Sequence, residues 1–254
     1  MAGLLLAGTI AGVAWRARSL TRSGALASVA VGTAAVAAGW SWGTLLIAFF
    51  VAASLLTRLG AQAKQRRTAS IVAKGGERDV QQVLANGGPF ALAALVFTAA
   101  PSLPLMAFAL GALAAATADT WATEVGTLAG GTPRSIRTLR PVPAGTSGGV
   151  SVVGTLASVL GALLLPALAL ALHWPTAVVA GAVAGGAAGA LVDSLLGATL
   201  QARRRCARCG TDTERIVHDC GTATEHAGGV AWLDNDAVNL VSSVAGGLLA
   251  ALLA

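Results

Sequence analysis

Every lysine and arginine of this 254-residue chain, 17 in all, falls in one of four short stretches, and long apolar runs lie between them. The apolar runs cover residues 2–15, 24–39, 43–57, 87–100, 103–125, 148–172, 176–200 and 237–254. Unpaired backbone amides are too costly in lipid, so apolar runs of this kind cross a bilayer as helices. Eight runs predict an all-α polytopic membrane bundle, one domain over residues 1–254. Several runs are shorter than the ~20 residues of a full span, which implies tilted, half-length or re-entrant helices. The first run reads as a retained helix, because Arg16 and Arg18 follow it and no basic residue precedes it, unlike a cleavable signal peptide.

The connectors alternate in charge. Residues 40–42, 101–104 and 173–175 carry no lysine or arginine, whereas 16–22, 58–78, 134–140 and 203–215 carry all of them. Eight crossings put those four stretches on one side, which the positive-inside rule makes cytoplasmic, with both termini outside. In a prokaryote this is a plasma-membrane protein. Trp15, Trp40, Trp42 and Trp174 fall at helix ends, where an indole suits the lipid–water interface.

Composition agrees: 55% hydrophobic and 11% charged residues exclude an ordinary soluble domain. The net charge of +6 does not signal nucleic acid, since the basic residues merely flank apolar segments. Thirty-two glycines suit helices whose backbones approach closely in lipid.

Ionisable residues in or beside apolar runs are site candidates by default. They are Asp119, Glu124, Asp193, Asp234 and Asp236. On an unbroken helix Asp119 and Glu124 diverge, because residues four apart, not five, lie above one another. The alternative is a pair of solvated helix-end acids. Gly181, Gly185, Gly189, Asp193, Gly197 and Gln201 recur at intervals of four, one ridge of a helix. Its carboxylate either serves a metal or basic partner or is hydrogen-bonded in a packing contact. The same spacing aligns Arg78, Gln82 and Asn86, and again Asn235, Asn239 and Ser243, at the cytoplasmic ends of two further helices.

The run Gly145-Thr146-Ser147-Gly148-Gly149-Val150 opens the sixth apolar segment. Glycines free the backbone to turn N–H groups toward one point, and a helix N-terminus favours an anion. Arg134, Arg137 and Arg140 lie just upstream, and Lys74 and Arg78 flank Gly75 and Gly76. Ordinary capping is the alternative. Carboxylates and phosphate-holding loops together suggest Mg2+-assisted phosphoryl transfer, and a lipid-tailed substrate explains a site at the membrane surface.

All three cysteines lie in the last basic connector, residues 201–230, as Cys206-x2-Cys209 and His218-x-Cys220. Three thiols and an imidazole make the ligand set of a structural zinc site. Reduced thiols and an oxidation-regulated pair are the alternatives, and His226 is an alternative ligand to His218.

Six blocks in one order resemble the transmembrane protein 19 family, the domain of unknown function 92, which includes plant phytyl-phosphate kinases. They are Lys74-Gly75-Gly76-Glu77-Arg78-Asp79, Gln82-Val83-Leu84-Ala85-Asn86-Gly87, Asp119-Thr120-Trp121-Ala122-Thr123-Glu124-Val125-Gly126, the Gly145 to Val150 run, Asp193-Ser194-Leu195-Leu196-Gly197-Ala198 and Asn235-Asp236-Ala237-Val238-Asn239-Leu240. The resemblance implies a membrane kinase that converts a prenyl or polyprenyl monophosphate to the diphosphate with a nucleoside triphosphate, CTP by its distant likeness to dolichol kinases. Within that expectation Asp119, Glu124 and Asp193 bind Mg2+, and Gly145, Thr146, Ser147, Gly148 and Gly149 with Arg137 or Arg140 hold the triphosphate. Lys74 or Arg78 holds the acceptor phosphate, while Gln82, Asn86, Asn235 and Asn239 contact substrate oxygens. Rival readings are a cytidylyltransferase making a CDP-lipid and a cation-coupled transporter or flippase.

Overall fold

The computed structural model describes residues 1–254. Eight apolar helices follow the eight runs: α1 (Ala2–Arg16), α2 (Arg22–Ala38), α3 (Trp40–Arg58), α5 (Val80–Ala99), α6 (Leu103–Ala129), α7 (Val152–Ala171), α8 (Thr176–Thr199) and α9 (Asn235–Leu253). A ninth, α4 (Ala61–Thr68), is polar and lies inside the second basic connector. Its sequence lacks the apolar stripe that marks a packed helix, so nothing in the hydropathy pattern reveals it. Short strands occur only in the basic connectors: β1 (Arg134–Ser135) pairs with β2 (Gly149–Val150), and β3 (Arg203–Arg205) lies between β4 (Asp212–Thr213) and β5 (Glu225–Gly228). Six helices are long and apolar enough to cross a membrane; α1 and α2, with 15 and 17 residues, are shorter.

The chain forms a bundle around α6, which packs against α5, α7, α8 and α9. Residues Ala109 through Ala118 of α6 are all buried, as expected of a central helix surrounded on every side. Contact with α9 depends on the glycine ridge of α8. A Cβ at Gly185 would lie 2.2 Å from the Gly246 carbonyl oxygen, and one at Gly181 would lie 2.7 Å from that of Ala250. The ridge then passes Asp193 and ends where Gly197 meets the backbone of Ser147 and Gly148.

The four basic connectors meet at one end. Thr21 N–H donates to Arg78 O and Arg78 N–H to Ser19 O, each at 3.0 Å; Arg67 Nη1 reaches Thr127 O and Leu128 O at 2.6 and 2.7 Å; and Glu214 N–H donates to Ile71 O at 2.9 Å. At the other end Trp42 stacks among Phe90, Phe97 and Trp174, with ring centroids 4.9–5.4 Å away. Trp42, in the first turn of α3, and Trp174, between α7 and α8, are thus buried core residues, not interface anchors; Trp15 and Trp40 remain exposed.

Three helix starts differ from expectation: α3 begins at Trp40, so residues 40–42 are helix and the turn after α2 is Gly39. α5 begins at Val80, before the apolar run at Gly87, because Asp79 and Gln82 form a reciprocal capping box. The Gly145 to Val150 run does not open a helix: Gly149 and Val150 pair with Ser135 and Arg134, and α7 starts at Val152, capped by Ser151 Oγ on Gly154 N–H at 3.1 Å. Gly148, at φ 71°, is needed for close approach, since a Cβ there would lie 2.5 Å from the backbone of Ala198.

Candidate functional site

At the basic end the N-termini of α2, α5, α7 and α9 are capped by Thr21, Asp79, Ser151 and Asp234, while α1, α3, α6 and α8, which start at the other end, have no side-chain cap. Four helix N-termini and the basic side chains therefore give this end a positive potential.

Arg78 sits at the centre of one cluster. Its backbone is pinned to the connector between α1 and α2, and its guanidinium donates to Ser54 Oγ and Thr57 Oγ1, both at 3.1 Å. It makes no ion pair. Thr57 Oγ1 in turn donates to Glu124 Oε1 at 2.6 Å, and Glu124 pairs with Lys64 of α4. Arg78, Gln82, Asn86 and Thr120 line one end of an otherwise apolar cleft between α1, α2, α3 and α5. The cleft runs up to Val36 and Gly43 near the opposite end. Its wall includes Leu6, Ile10, Val31, Leu46, Phe49 and Phe50.

A second cluster adjoins it through α6, where Thr120 faces the cleft and Asp119 faces α8. Asp119 and Asp193 are neighbours across the contact between α6 and α8, and Ser242 Oγ donates to Asp193 Oδ2 at 3.0 Å. Neither carboxylate has a basic partner, and both remain partly accessible. At about 1.5 Å of rise per residue both lie about 25 Å along their helices from the uncharged end, within a hydrocarbon layer about 30 Å thick but near its basic boundary. Glu124 is not with them. The unbroken α6 turns it away, as the five-residue spacing requires, and it belongs to the Arg78 cluster.

Lys74 cross-links two helix starts, bonding Asp236 at 2.6 Å and Asp79 at 2.8 Å. Burial draws the Lys74 pKa down, but the bonds to Asp236 and Asp79 outweigh it and leave it raised; burial likewise pushes Asp79 up, and Lys74 and Gln82 bring it below its ordinary value. Lys74 is therefore engaged in structure, and of the two only Arg78 has no direct carboxylate partner. Glu214 takes hydrogen bonds from Ser147 and from Gln201 Nε2, the latter at 2.8 Å, tying the glycine loop to the last connector. Burial raises the Glu214 pKa, partly offset by those two bonds.

Arg137 and Arg140 are exposed beside the Gly145 to Gly149 loop, and Thr146 lies within it. Asn235 is exposed and Asn239 half-buried on α9; neither joins the acidic pair through a side-chain hydrogen bond, and Ser242, not Ser243, supplies that contact. The Asn235, Asn239 and Ser243 face leaves the Ser243 hydroxyl buried without a partner. Cys206, Cys209, His218 and Cys220 do converge, their ligand atoms all within 4.8 Å of one another, while His226 lies outside the group on β5. Sequence reasoning missed Ser54, Thr57, Lys64, Ser242 and Glu214. Each finds its partner far along the chain, in a contact that spacing within one helix does not reveal.

The residues of these clusters lie within residues 5–247, the span matched by the sequence pattern described as integral membrane protein DUF92. The chain is 31% identical to Protein PGR of Arabidopsis thaliana, over 94% of this chain and 90% of that protein. It is 29% identical to an uncharacterized membrane protein of Methanocaldococcus jannaschii, over 85% of this chain and 77% of that one, and 38% identical to one of Synechocystis over 52% of each. No solved structure matches the chain. With the family pattern running through nearly every helix and both polar clusters, the chain belongs to the integral membrane protein DUF92 family.

Proposed function

We propose that this protein is a membrane kinase that transfers the γ-phosphoryl group of a nucleoside triphosphate, CTP by family resemblance, to a prenyl or polyprenyl monophosphate. The observation that carries it is a guanidinium held by two hydroxyls, with no carboxylate partner, at the head of an apolar cleft. A cation without a carboxylate partner at the end of an apolar cleft suits a molecule with an apolar tail and an anionic head. Arg78 holds the acceptor phosphate, and Gln82, Asn86 and Thr120 orient its oxygens. The exposed Arg137 and Arg140 and the glycine loop receive the triphosphate on the basic side, which is the cytoplasmic side.

Facing carboxylates without a basic partner suit a hard divalent cation, and Asp119 and Asp193 are the residues that would hold Mg2+. Bound there, Mg2+ supplies neutralisation of the phosphate oxygens. An acceptor phosphate oxygen forms the new bond to the γ-phosphorus, the bond to the β–γ bridging oxygen breaks, and the nucleoside diphosphate leaves with the electron pair; no protein nucleophile is needed. Glu124 is a positioning residue, holding Thr57 against Arg78. The acidic pair lies near one boundary of the bilayer, whereas a transporter site is expected at the midplane.

The test is purified protein with Mg2+, γ-labelled CTP or ATP and a panel of prenyl phosphates of different chain length. Labelled prenyl diphosphate with release of nucleoside diphosphate is the expected product. A CDP-lipid with labelled pyrophosphate identifies a cytidylyltransferase instead, and no product with any acceptor removes both.

A further inference from the structure

The last basic connector contains almost no core of its own. Between residues 202 and 230 only Cys206, Thr213 and Thr224 are buried, and its larger aliphatic side chains, Ile216 and Val217, are 72% and 54% exposed. A segment this short with no apolar interior requires a covalent or metal staple to hold one shape. All three cysteines are free.

We propose that Cys206, Cys209, His218 and Cys220 bind one zinc ion, folding residues 201–230 into a two-knuckle module that clamps the other basic connectors in place. Zn–S bonds of about 2.3 Å and Zn–N bonds of about 2.0–2.1 Å at tetrahedral angles put sulfurs about 3.8 Å apart and sulfur and nitrogen about 3.6 Å apart. Cys206 Sγ and Cys220 Sγ are 3.6 Å apart, and His218 Nδ1 and Cys220 Sγ are 3.4 Å apart.

The backbone is built for the same purpose twice over. In the first knuckle Gly210 N–H returns to Cys206 O at 2.8 Å, and in the second Gly221 N–H returns to His218 O at 2.9 Å. Each glycine directly follows the second ligand of its pair and lies in the left-handed region, at φ 66° and 80°. Each turn therefore aims two ligands at one point, and the two points coincide.

The module's place in the molecule gives the ion its consequence. Thr213 Oγ1 and Glu214 N–H donate to Ile71 O, Arg215 Nε donates to Val72 O at 3.0 Å, and Glu214 accepts from Ser147. Zinc thus fixes the strand that joins the 69–79 connector to the glycine loop, and this holds whichever reaction the membrane site performs.

The experiment is metal analysis of the full chain purified in detergent without chelator, with exchange into Co2+ and trypsin digestion as further readouts. About one zinc per chain is expected, with a tetrahedral thiolate spectrum in the Co2+ form and cleavage after Arg208 and Arg215 only once the metal is stripped. Cys209→Ser is expected to lose the zinc, and Cys209→His, which restores a ligand, to keep it. Wild type with three reduced thiols, no zinc and no Co2+ spectrum overturns the site, as does a Cys209→Ser protein that retains full zinc. Should Cys209→Ser fail to fold, the wild-type Co2+ spectrum still decides.

Discussion

Arg78 owes its position to a residue with no side chain. A Cβ at Gly24 would lie 2.1 Å from the Arg78 carbonyl oxygen, so only glycine lets α2 start against the segment that leads into α5. Gly24→Ala should cost about 1–3 kcal/mol, the usual range for forced overpacking, and should lower the melting temperature in detergent; an unshifted transition would show that the contact is slack. Arg78→Lys keeps the charge but loses the planar fork, so the acceptor KM should rise by about tenfold or more with a smaller change in kcat. An unchanged KM would take Arg78 out of the acceptor site. The Gln82 and Asn86 alignment was legible in the sequence, because spacing by four survives into any helix, whereas Arg78 lies before the α5 cap and reaches the same cleft through its backbone pairing with Leu20. The Asp119–Asp193 contact was not, since it depends on how α6 and α8 rotate against each other. Divergence of Asp119 and Glu124 followed from the sequence, but Lys64 as the partner of Glu124 did not, because α4 carries no pattern that says which way it faces.

Among the elements, α8 and α9 show what the glycines do. Gly185→Ala places a Cβ 2.2 Å from Gly246 O and should separate the two helices, whereas Gly8→Ala on α1 meets nothing within 4 Å and should be neutral or slightly stabilising. Equal melting temperatures for the two variants would contradict close packing of α8 on α9. The α5 and α9 starts are joined by Lys74, whose raised pKa means its contribution is present below its unfolded value and is lost as pH rises through the folded one. Asp79, with a depressed pKa, contributes above its unfolded value and loses that contribution as pH falls through the folded one. Lys74→Met should therefore lower the melting temperature at neutral pH, with the difference from wild type shrinking below about pH 4; a constant difference would assign the effect to packing. Glycine periodicity announced the α8 ridge. The glycines of 145–149 suggested a helix start because Gly and Ser also make turns, and only the pairing of Ser135 with Gly149 reveals the choice made.

At the scale of the whole molecule, charge segregation alone foretold the end at which the polar groups gather, since alternating connectors must alternate sides. The structure brings the four basic connectors together as that segregation requires. If this end is cytoplasmic, a cysteine at Ser102 should react with an impermeant thiol reagent from outside intact cells and one at Thr138 should not; equal labelling would sink the orientation. The central claim is that the end houses a phosphoryl-transfer site in which the Asp119–Asp193 pair supplies negative charge. Asp193→Asn tests it most directly, because the amide keeps the volume and still accepts from Ser242 while the charge is removed. At saturating Mg2+ and CTP, the variant is expected to fold as wild type in detergent and to lose prenyl-phosphate kinase turnover. Turnover within a few-fold of wild type would contradict the account.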